Sequence, residues 1–125
     1  MNIKFFENRL EDAIGAGIYE IYILKNGKEE LIYIGESVFV LVRCATHLYE
    51  IKKGEGYLGF TKEMINRPDL TVVFKLLLNE NDRKARQVKE TELVKEKHPR
   101  MQSGIKDRVK SIEDMIGEMT LLLNE

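Results

Sequence analysis

The chain has 125 residues, with 43% apolar side chains, one cysteine, two histidines and a net charge of −1. This length and apolar content predict a single domain with its own core. So few cysteines and histidines exclude a disulfide scaffold and a zinc site built from these residues. No apolar stretch is long enough to span a membrane, and the acidic, interrupted N-terminal residues are unlike a signal peptide. We therefore expect a cytoplasmic protein.

Charge is distributed unevenly along the chain. Residues 75–110 carry 11 basic and 6 acidic groups, a balance of +5, whereas residues 1–74 carry 9 basic and 11 acidic groups. Residues 111–125 carry 4 acidic groups and no basic group. Because Lys and Arg contact phosphate locally, the basic segment is compatible with a nucleic-acid-binding surface. On charge alone, a solvated amphipathic helix is the better interpretation.

The first half of the chain predicts a helix, a hairpin and a second helix. The first helix is expected over Phe5–Ile14, ended by the glycines that follow it. Gly17–Leu24 and Glu30–Gly35 are rich in Ile and Tyr, and Asn26–Lys28 between them is typical of a hairpin turn. Ser37–Lys53 is predicted to be helical, with its first residue as the N-cap and a glycine after its last residue.

The second half predicts a short helix, a buried strand and a long helix. Gly54–Asp69 is expected to be a glycine-containing loop with a short helix. Thr71–Leu78 is almost wholly apolar, which predicts a strand buried on both faces. Asn79 or Asn81 is expected to cap a long helix that ends near His98, before a proline.

The C-terminal segment predicts a last helix over Ile105–Leu123, with apolar residues at heptad spacing. Its apolar stripe is broad, which favours packing onto the domain, and a homodimer interface is the alternative. The expected division is a domain over residues 1–104 and this amphipathic helix over residues 105–125. The expected fold is α+β (mixed α/β): a small three-stranded, largely antiparallel sheet in the order ββααβα, with helices around it.

A group of spaced residues carries the functional signal. Gly17–Tyr19 reads Gly-Ile-Tyr and Tyr33–Gly35 reads Tyr-Ile-Gly, on the two strands of the predicted hairpin. Arg43 follows the second tripeptide by eight residues, and His47 lies four residues further on. Glu90 lies on a predicted helix, nine residues before a proline. Over residues 17–102 the chain resembles the GIY-YIG nuclease family in these tripeptides and spacings.

This resemblance implies a metal-dependent endonuclease, a hydrolase that cuts DNA phosphodiester bonds and leaves a 5′-phosphate and a 3′-hydroxyl. One of Tyr19 and Tyr33 would be the general base on the attacking water, and the other would orient water or phosphate. Arg43 would clamp the phosphate, and Glu90 would bind one Mg²⁺ or Mn²⁺. His47 would take the proton of Tyr19 or contact phosphate. Without the resemblance, core tyrosines and a solvated glutamate remain the alternatives.

Two further residues are expected to support this site. Gly35 ends the second tripeptide, and Gln102 stands where the family usually has asparagine. The amide of Gln102 is kept on a longer side chain, so its reach changes. The apolar neighbours of Arg43 also predict partial burial of that side chain.

The register of the hairpin decides whether the two tyrosines share a site. A two-residue turn at Asn26–Gly27 would place Tyr19 and Tyr33 on opposite faces of the sheet. A three-residue loop, with Leu24 paired to Lys28, would place them directly across from each other. Because a joint site requires a shared face, we predict the second register.

The resemblance also predicts DNA as the partner, contacted by basic side chains of the segment that follows the third strand. The candidates are Lys84, Arg86, Lys89, Lys97 and Arg100. The alternative function is a non-catalytic nucleic-acid- or protein-binding module with the same fold. The near-neutral net charge and the glutamine at position 102 favour that alternative, whereas the full set of motif residues favours the enzyme.

Overall fold

The computed structural model of the chain describes residues 1–102 and 111–124. Within these residues it contains four strands and four α-helices, with a 3-10 turn at Asp12–Ile14 and another at Tyr57–Gly59. The strands are β1 Asn2–Phe5, β2 Gly17–Lys25, β3 Lys28–Ser37 and β4 Leu70–Asn79. The helices are α1 Val40–Lys52, α2 Lys62–Ile65, α3 Arg83–Lys97 and α4 Ile112–Asn124.

The expected α+β class is confirmed, but the sheet differs from the predicted one. It has four strands in the order β1-β4-β2-β3. Strand β2 pairs antiparallel with both β3 and β4, whereas β1 pairs parallel with β4. The three predicted strands are present, and the prediction of a three-stranded sheet is wrong because β1 adds a parallel edge strand.

The N-terminal segment was predicted to be helical over Phe5–Ile14, and that prediction is wrong. Phe5 is the last residue of β1 and pairs with Phe74 of β4, with the centroids of their rings 5.1 Å apart. The backbone then turns through Phe6 and Asn8, both with positive φ, which a right-handed helix does not allow. Packing of the phenylalanines on β4 therefore outweighs the local helical propensity.

The predicted helix caps are displaced along the chain. Strand β3 continues to Ser37, and the hydroxyl of Ser37 accepts a hydrogen bond from the backbone N–H of Phe39, so α1 begins only at Val40. At α3 the cap is Asp82, whose carboxylate accepts from the N–H of Ala85. Serine, asparagine and aspartate all favour the N-cap position. The point at which the preceding strand ends decides which residue stands there.

The sheet has a buried face on each side. On one side, alternate residues of β2 and β4 form the main core with α1 and α4; among them are Tyr19, Ile21, Ile23, Val72 and Phe74. On the other side, Ile18 and Ile34 pack with Leu93 of α3 in a smaller cluster. Helix α3 therefore covers part of the face opposite the main core. Strand β4 was expected to be buried on both faces, but on this second face only Val73 is fully buried, and Thr71, Lys75 and Leu77 are half-exposed.

Helix α4 packs on the 3-10 turn at Tyr57–Gly59. A Cβ atom at Gly59 would lie 2.5 Å from the backbone oxygen of Met115 and 2.8 Å from the Cβ of Met119, so only glycine allows this approach. Met115 and Met119 are buried in the main core. The predicted helix began at Ile105, and its residues 105–110 lie outside the described residues.

No helix within residues 1–102 and 111–124 is long and apolar enough to cross a membrane.

Truncating α4 at its buried face is expected to destabilise the whole domain. Met119 is 0% exposed, so Met119→Ala should lower the free energy of unfolding by about 3 kcal/mol, through lost burial and a cavity. Leu121 lies on the same helix and is 62% exposed, so Leu121→Ala should change it by less than about 0.5 kcal/mol. Urea unfolding of both variants measures the two effects, and equal losses would contradict this packing of α4.

Candidate active site

The turn of the hairpin differs from the predicted one. Lys25 pairs with Lys28, so Asn26–Gly27 forms a two-residue turn. Both turn residues have positive φ, of 53° and 77°, as in the type I′ turn that matches the twist of the flanking strands. The three-residue loop predicted from the requirement for a shared site is therefore wrong.

The shared face is nevertheless present, because a β-bulge restores it. The pairing of β2 with β3 shifts by one residue between Ile21 and Tyr22. Beyond the bulge, Ile21 pairs with Tyr33, and Tyr19 pairs with Gly35. Because Tyr19 and Ile21 are two residues apart on one strand, Tyr19 and Tyr33 lie on the same face as diagonal neighbours. Their ring centroids are 6.3 Å apart.

Gly35 makes room for the phenol of Tyr19. A Cβ atom at position 35 would lie 2.2 Å from the hydroxyl oxygen of Tyr19 and 2.3 Å from the ring carbon that bears it. Any side chain at this position would displace the ring. The glycine that ends the second tripeptide therefore sets the position of the tyrosine that ends the first.

His47 joins the tyrosines of the sheet to the loop after α1. Its Nε2 lies 2.7 Å from the hydroxyl of Tyr19, and its Nδ1 lies 2.7 Å from the hydroxyl of Tyr57. The ring of Tyr33 is 5.3 Å from the imidazole, centroid to centroid. Tyr19 and His47 are each 1% exposed, so both are held within the core and linked by a short hydrogen bond.

Burial keeps these groups in their neutral forms. Desolvation, followed by the neighbouring Tyr33, raises the pKa of Tyr19 far above its usual value. Desolvation and the charge of Glu90 raise the pKa of Tyr33 as well. For His47, desolvation and the positive charge of Arg43 lower the pKa to about 4. At neutral pH the phenols are protonated and the imidazole is uncharged.

Arg43 supplies an exposed positive charge beside this neutral cluster. The residue as a whole is exposed, so the partial burial expected from its neighbours applies only to the guanidinium end, which is partly desolvated. Burial of the guanidinium acts to lower the pKa of Arg43, but three neighbouring phenols raise it above its ordinary value. Those phenols are Tyr19, Tyr57 and Tyr33. Arg43 is therefore a permanent cation that a solvent-borne anion can reach.

Glu90 lies on α3, half-buried and one turn before Leu93, which packs on the face of the sheet opposite the tyrosines. Its negative charge raises the pKa of both Tyr33 and Tyr19, so the carboxylate lies within electrostatic range of the two phenols. Within the described part of the chain, no three His, Cys, Asp or Glu residues form a metal-binding cluster. A single carboxylate suits Mg²⁺ with most of its waters, rather than Zn²⁺.

Gln102 supports the strand that carries Tyr33. Its side-chain oxygen accepts a hydrogen bond of 2.9 Å from the N–H of Ile34, and its amide nitrogen donates one of 2.5 Å to the carbonyl of Ile34. Since β3 is an edge strand, Gln102 satisfies backbone groups that would otherwise face outwards. The side chain of Gln102 thus reaches the residue between Tyr33 and Gly35.

The basic residues predicted to contact DNA differ in how far their side chains are already bonded within the structure. Arg86 is 4% exposed and is bonded to Glu36 at 2.8 Å and to backbone carbonyls. It is part of the structure, and its prediction as a phosphate contact is wrong. Lys97 forms an ion pair with the buried Glu20. Lys84 and Lys89 are exposed on α3, and Arg100 lies beside β3, with its N–H bonded to Leu31.

Sequence reasoning missed Tyr57. It lies ten residues after His47, in a loop predicted only as glycine-containing, and nothing in its local pattern pairs it with a histidine. The signal available in the sequence was the pair of glycines at positions 56 and 59. In the structure both have positive φ and form the tight turn that places the Tyr57 hydroxyl against the imidazole.

Comparison with known proteins gives no match to this chain among family models, curated proteins or solved structures.

Lowering the pH is expected to unfold the protein partly through His47. The folded-state pKa of about 4 lies below the ordinary 6.5, so the unfolded chain binds the proton first as the pH falls. The stabilisation is complete above pH 6.5, and up to about 3 kcal/mol of it is lost between pH 6.5 and pH 4. Urea unfolding at several pH values should show a smaller loss over this window in His47→Gln. An equal loss in both proteins would contradict a buried, neutral His47.

Proposed function

We propose that the chain is a metal-dependent DNA endonuclease of the GIY-YIG type. The observation that carries the proposal is the convergence of Tyr19, Tyr33, Arg43, His47 and Glu90, which come from two strands and two helices. The hydrogen bond of 2.7 Å between Tyr19 and His47 fixes the centre of this group. Packing alone does not require an exposed arginine and a carboxylate within electrostatic range of one buried and one half-buried phenol.

Arg43 is the residue that binds the scissile phosphate. Its guanidinium can form two parallel hydrogen bonds to phosphoryl oxygens and keeps its charge at any working pH. Because Arg43 also interacts with the hydroxyl of Tyr19, a phosphate bound there lies next to that hydroxyl. The positive charge stabilises the negative charge that develops on the phosphoryl oxygens during attack.

Tyr19 is the better placed of the two tyrosines to act as the general base. A phenol with a raised pKa cannot be ionised in advance, so it must lose its own proton while it accepts one from the attacking water. The imidazole of His47 lies within hydrogen-bond distance of the Tyr19 hydroxyl and takes that proton. Tyr33, on the same face of the sheet, orients the water or the phosphate.

Glu90 is the residue that would hold a divalent cation. Its carboxylate is a hard oxygen ligand, and Mg²⁺ or Mn²⁺ bound there supplies electrostatic stabilisation of the phosphoryl group and of the leaving 3′ oxygen. The bond from phosphorus to that oxygen breaks, the oxygen takes up a proton from solvent, and the products carry a 5′-phosphate and a 3′-hydroxyl. Lys84 and Lys89, exposed on the same helix, extend the surface along which the DNA backbone lies.

A cleavage assay with matched glutamate variants tests the proposal. Supercoiled plasmid and a branched duplex are incubated with Mg²⁺, with Mn²⁺ or with chelator. Glu90→Gln should cut about a hundredfold more slowly or not at all, whereas Glu92→Gln, an exposed residue of the same helix, should cut at the wild-type rate. Binding without cutting by the wild type favours the alternative, a non-catalytic module. Equal rates in all three proteins would overturn the assignment of Glu90.

Salt dependence of binding tests the DNA surface separately. The slow Glu90→Gln protein serves as the background, so that binding is measured without cleavage. In that background, Lys84→Gln and Lys89→Gln should each reduce the slope of log K against log salt by about one unit, through lost counterion release. Lys28→Gln, at the hairpin turn, should leave the slope unchanged. Equal slopes in all the proteins would exclude α3 as the contact surface.

A further inference from the structure

His47 has a hydrogen-bond partner at each of its ring nitrogens. Nε2 faces the hydroxyl of the buried Tyr19, and Nδ1 faces the hydroxyl of Tyr57, both at 2.7 Å. A neutral imidazole carries one N–H, so one nitrogen donates and the other accepts. Each hydroxyl can donate or accept, so the three groups can form one chain of hydrogen bonds with a single direction.

A proton that enters this chain at Tyr19 has to leave it again. The low pKa of His47, about 4, means that the ring does not retain a second proton at neutral pH. The cation of Arg43 opposes a charged imidazole as well, since it is the second cause of that low value. When Nε2 receives the proton of Tyr19, the proton on Nδ1 must depart, and the hydroxyl facing Nδ1 belongs to Tyr57.

Tyr57 is placed to pass the proton out of the core. Tyr19 and His47 are each 1% exposed, whereas Tyr57 is only partly buried. The turn that carries it is held from behind by α4: a Cβ at Gly56 would lie 2.5 Å from a side-chain carbon of Ile112, and one at Gly59 would lie 2.5 Å from the backbone of Met115. This support fixes the phenol against the imidazole.

We propose that Tyr57 is a positioning residue, which holds His47 with its proton on Nδ1 and provides the exit for the proton released at Tyr19. The inference rests on the proposed nuclease function. As water attacks phosphorus, its proton passes to the Tyr19 oxygen, and the Tyr19 proton passes to Nε2. The Nδ1 proton passes to the Tyr57 oxygen, and the Tyr57 hydroxyl proton passes to solvent. Each group gains one proton and loses one, so none remains charged.

The first test reads the tautomer of His47 and needs no cleavage activity. The chain of 125 residues, labelled with ¹⁵N, contains two histidines, and His98→Gln assigns their ring signals. The wild type should show the Nδ1–H form of His47, and Tyr57→Phe should lose it because Nδ1–H no longer has an acceptor. Tyr49→Phe is the matched control, since Tyr49 is 65% exposed on α1, and should keep the wild-type tautomer. A wild-type chain in the Nε2–H form would overturn the proposal without any variant.

The second test measures cleavage of supercoiled plasmid by the same proteins. Tyr57→Phe should lower kcat about tenfold to a hundredfold and leave KM within about twofold, because the phosphate-binding groups are unchanged. Tyr49→Phe should cut at the wild-type rate. Urea unfolding of both variants checks that the fold is retained.

The outcomes separate the two proposals. A wild-type chain that cuts no DNA overturns the nuclease function and the proton exit with it. A wild-type chain that cuts, with Tyr57→Phe and Tyr49→Phe equally active, overturns the exit alone. Loss of the Nδ1–H form together with a lower kcat supports the role of Tyr57 in holding His47 and draining its proton, because a contact that serves only the fold would change neither the tautomer nor kcat.

Discussion

The hydrogen bond between Tyr19 and His47 is the interaction on which the candidate site depends. It joins the central strand β2 to helix α1 beside the main core, where both side chains are almost fully buried. A buried hydroxyl or imidazole left without a hydrogen-bond partner would lower the free energy of unfolding by about as much as a typical destabilising substitution in the core. The position of α1 over the sheet is therefore fixed by polar as well as apolar contacts.

The site combines neutral buried groups with charged groups at its border. Desolvation raises the pKa of the phenols and lowers that of His47. The phenols therefore stay protonated and the imidazole stays uncharged. The charges come from elements on different sides, Arg43 on α1 and Glu90 on α3. This separation lets the interior keep its packing while the border provides a cation and a carboxylate, which the proposed reaction requires.

The sequence predicted the parts of this site that depend on local pattern and spacing. The three strands and the α+β class follow from short runs rich in Ile, Tyr and other apolar residues. The shared face of Tyr19 and Tyr33 was expected from a three-residue loop and arises instead from the β-bulge. Edge strand β1 was missed because its helical propensity is overruled by packing of Phe5 on β4. Tyr57 was missed because the turn that carries it, packed on α4, is what brings it to His47. Long-range packing of this kind leaves little trace in a local window.

The β-bulge in the hairpin decides which face of the sheet carries Tyr33. Side chains alternate between the faces of a sheet, so the same strands paired without the bulge, with the two-residue turn kept, would set Tyr33 opposite Glu20. Tyr33 and Gly35 would then face α3, and Ile34 would lie on the core face. Removal of the one extra residue of β3 would abolish the bulge and leave Tyr33 opposite Ile21. The hairpin can therefore lose this residue and keep Tyr19 and Tyr33 on one face, so the spacing of the two tripeptides is set jointly by the turn and the bulge.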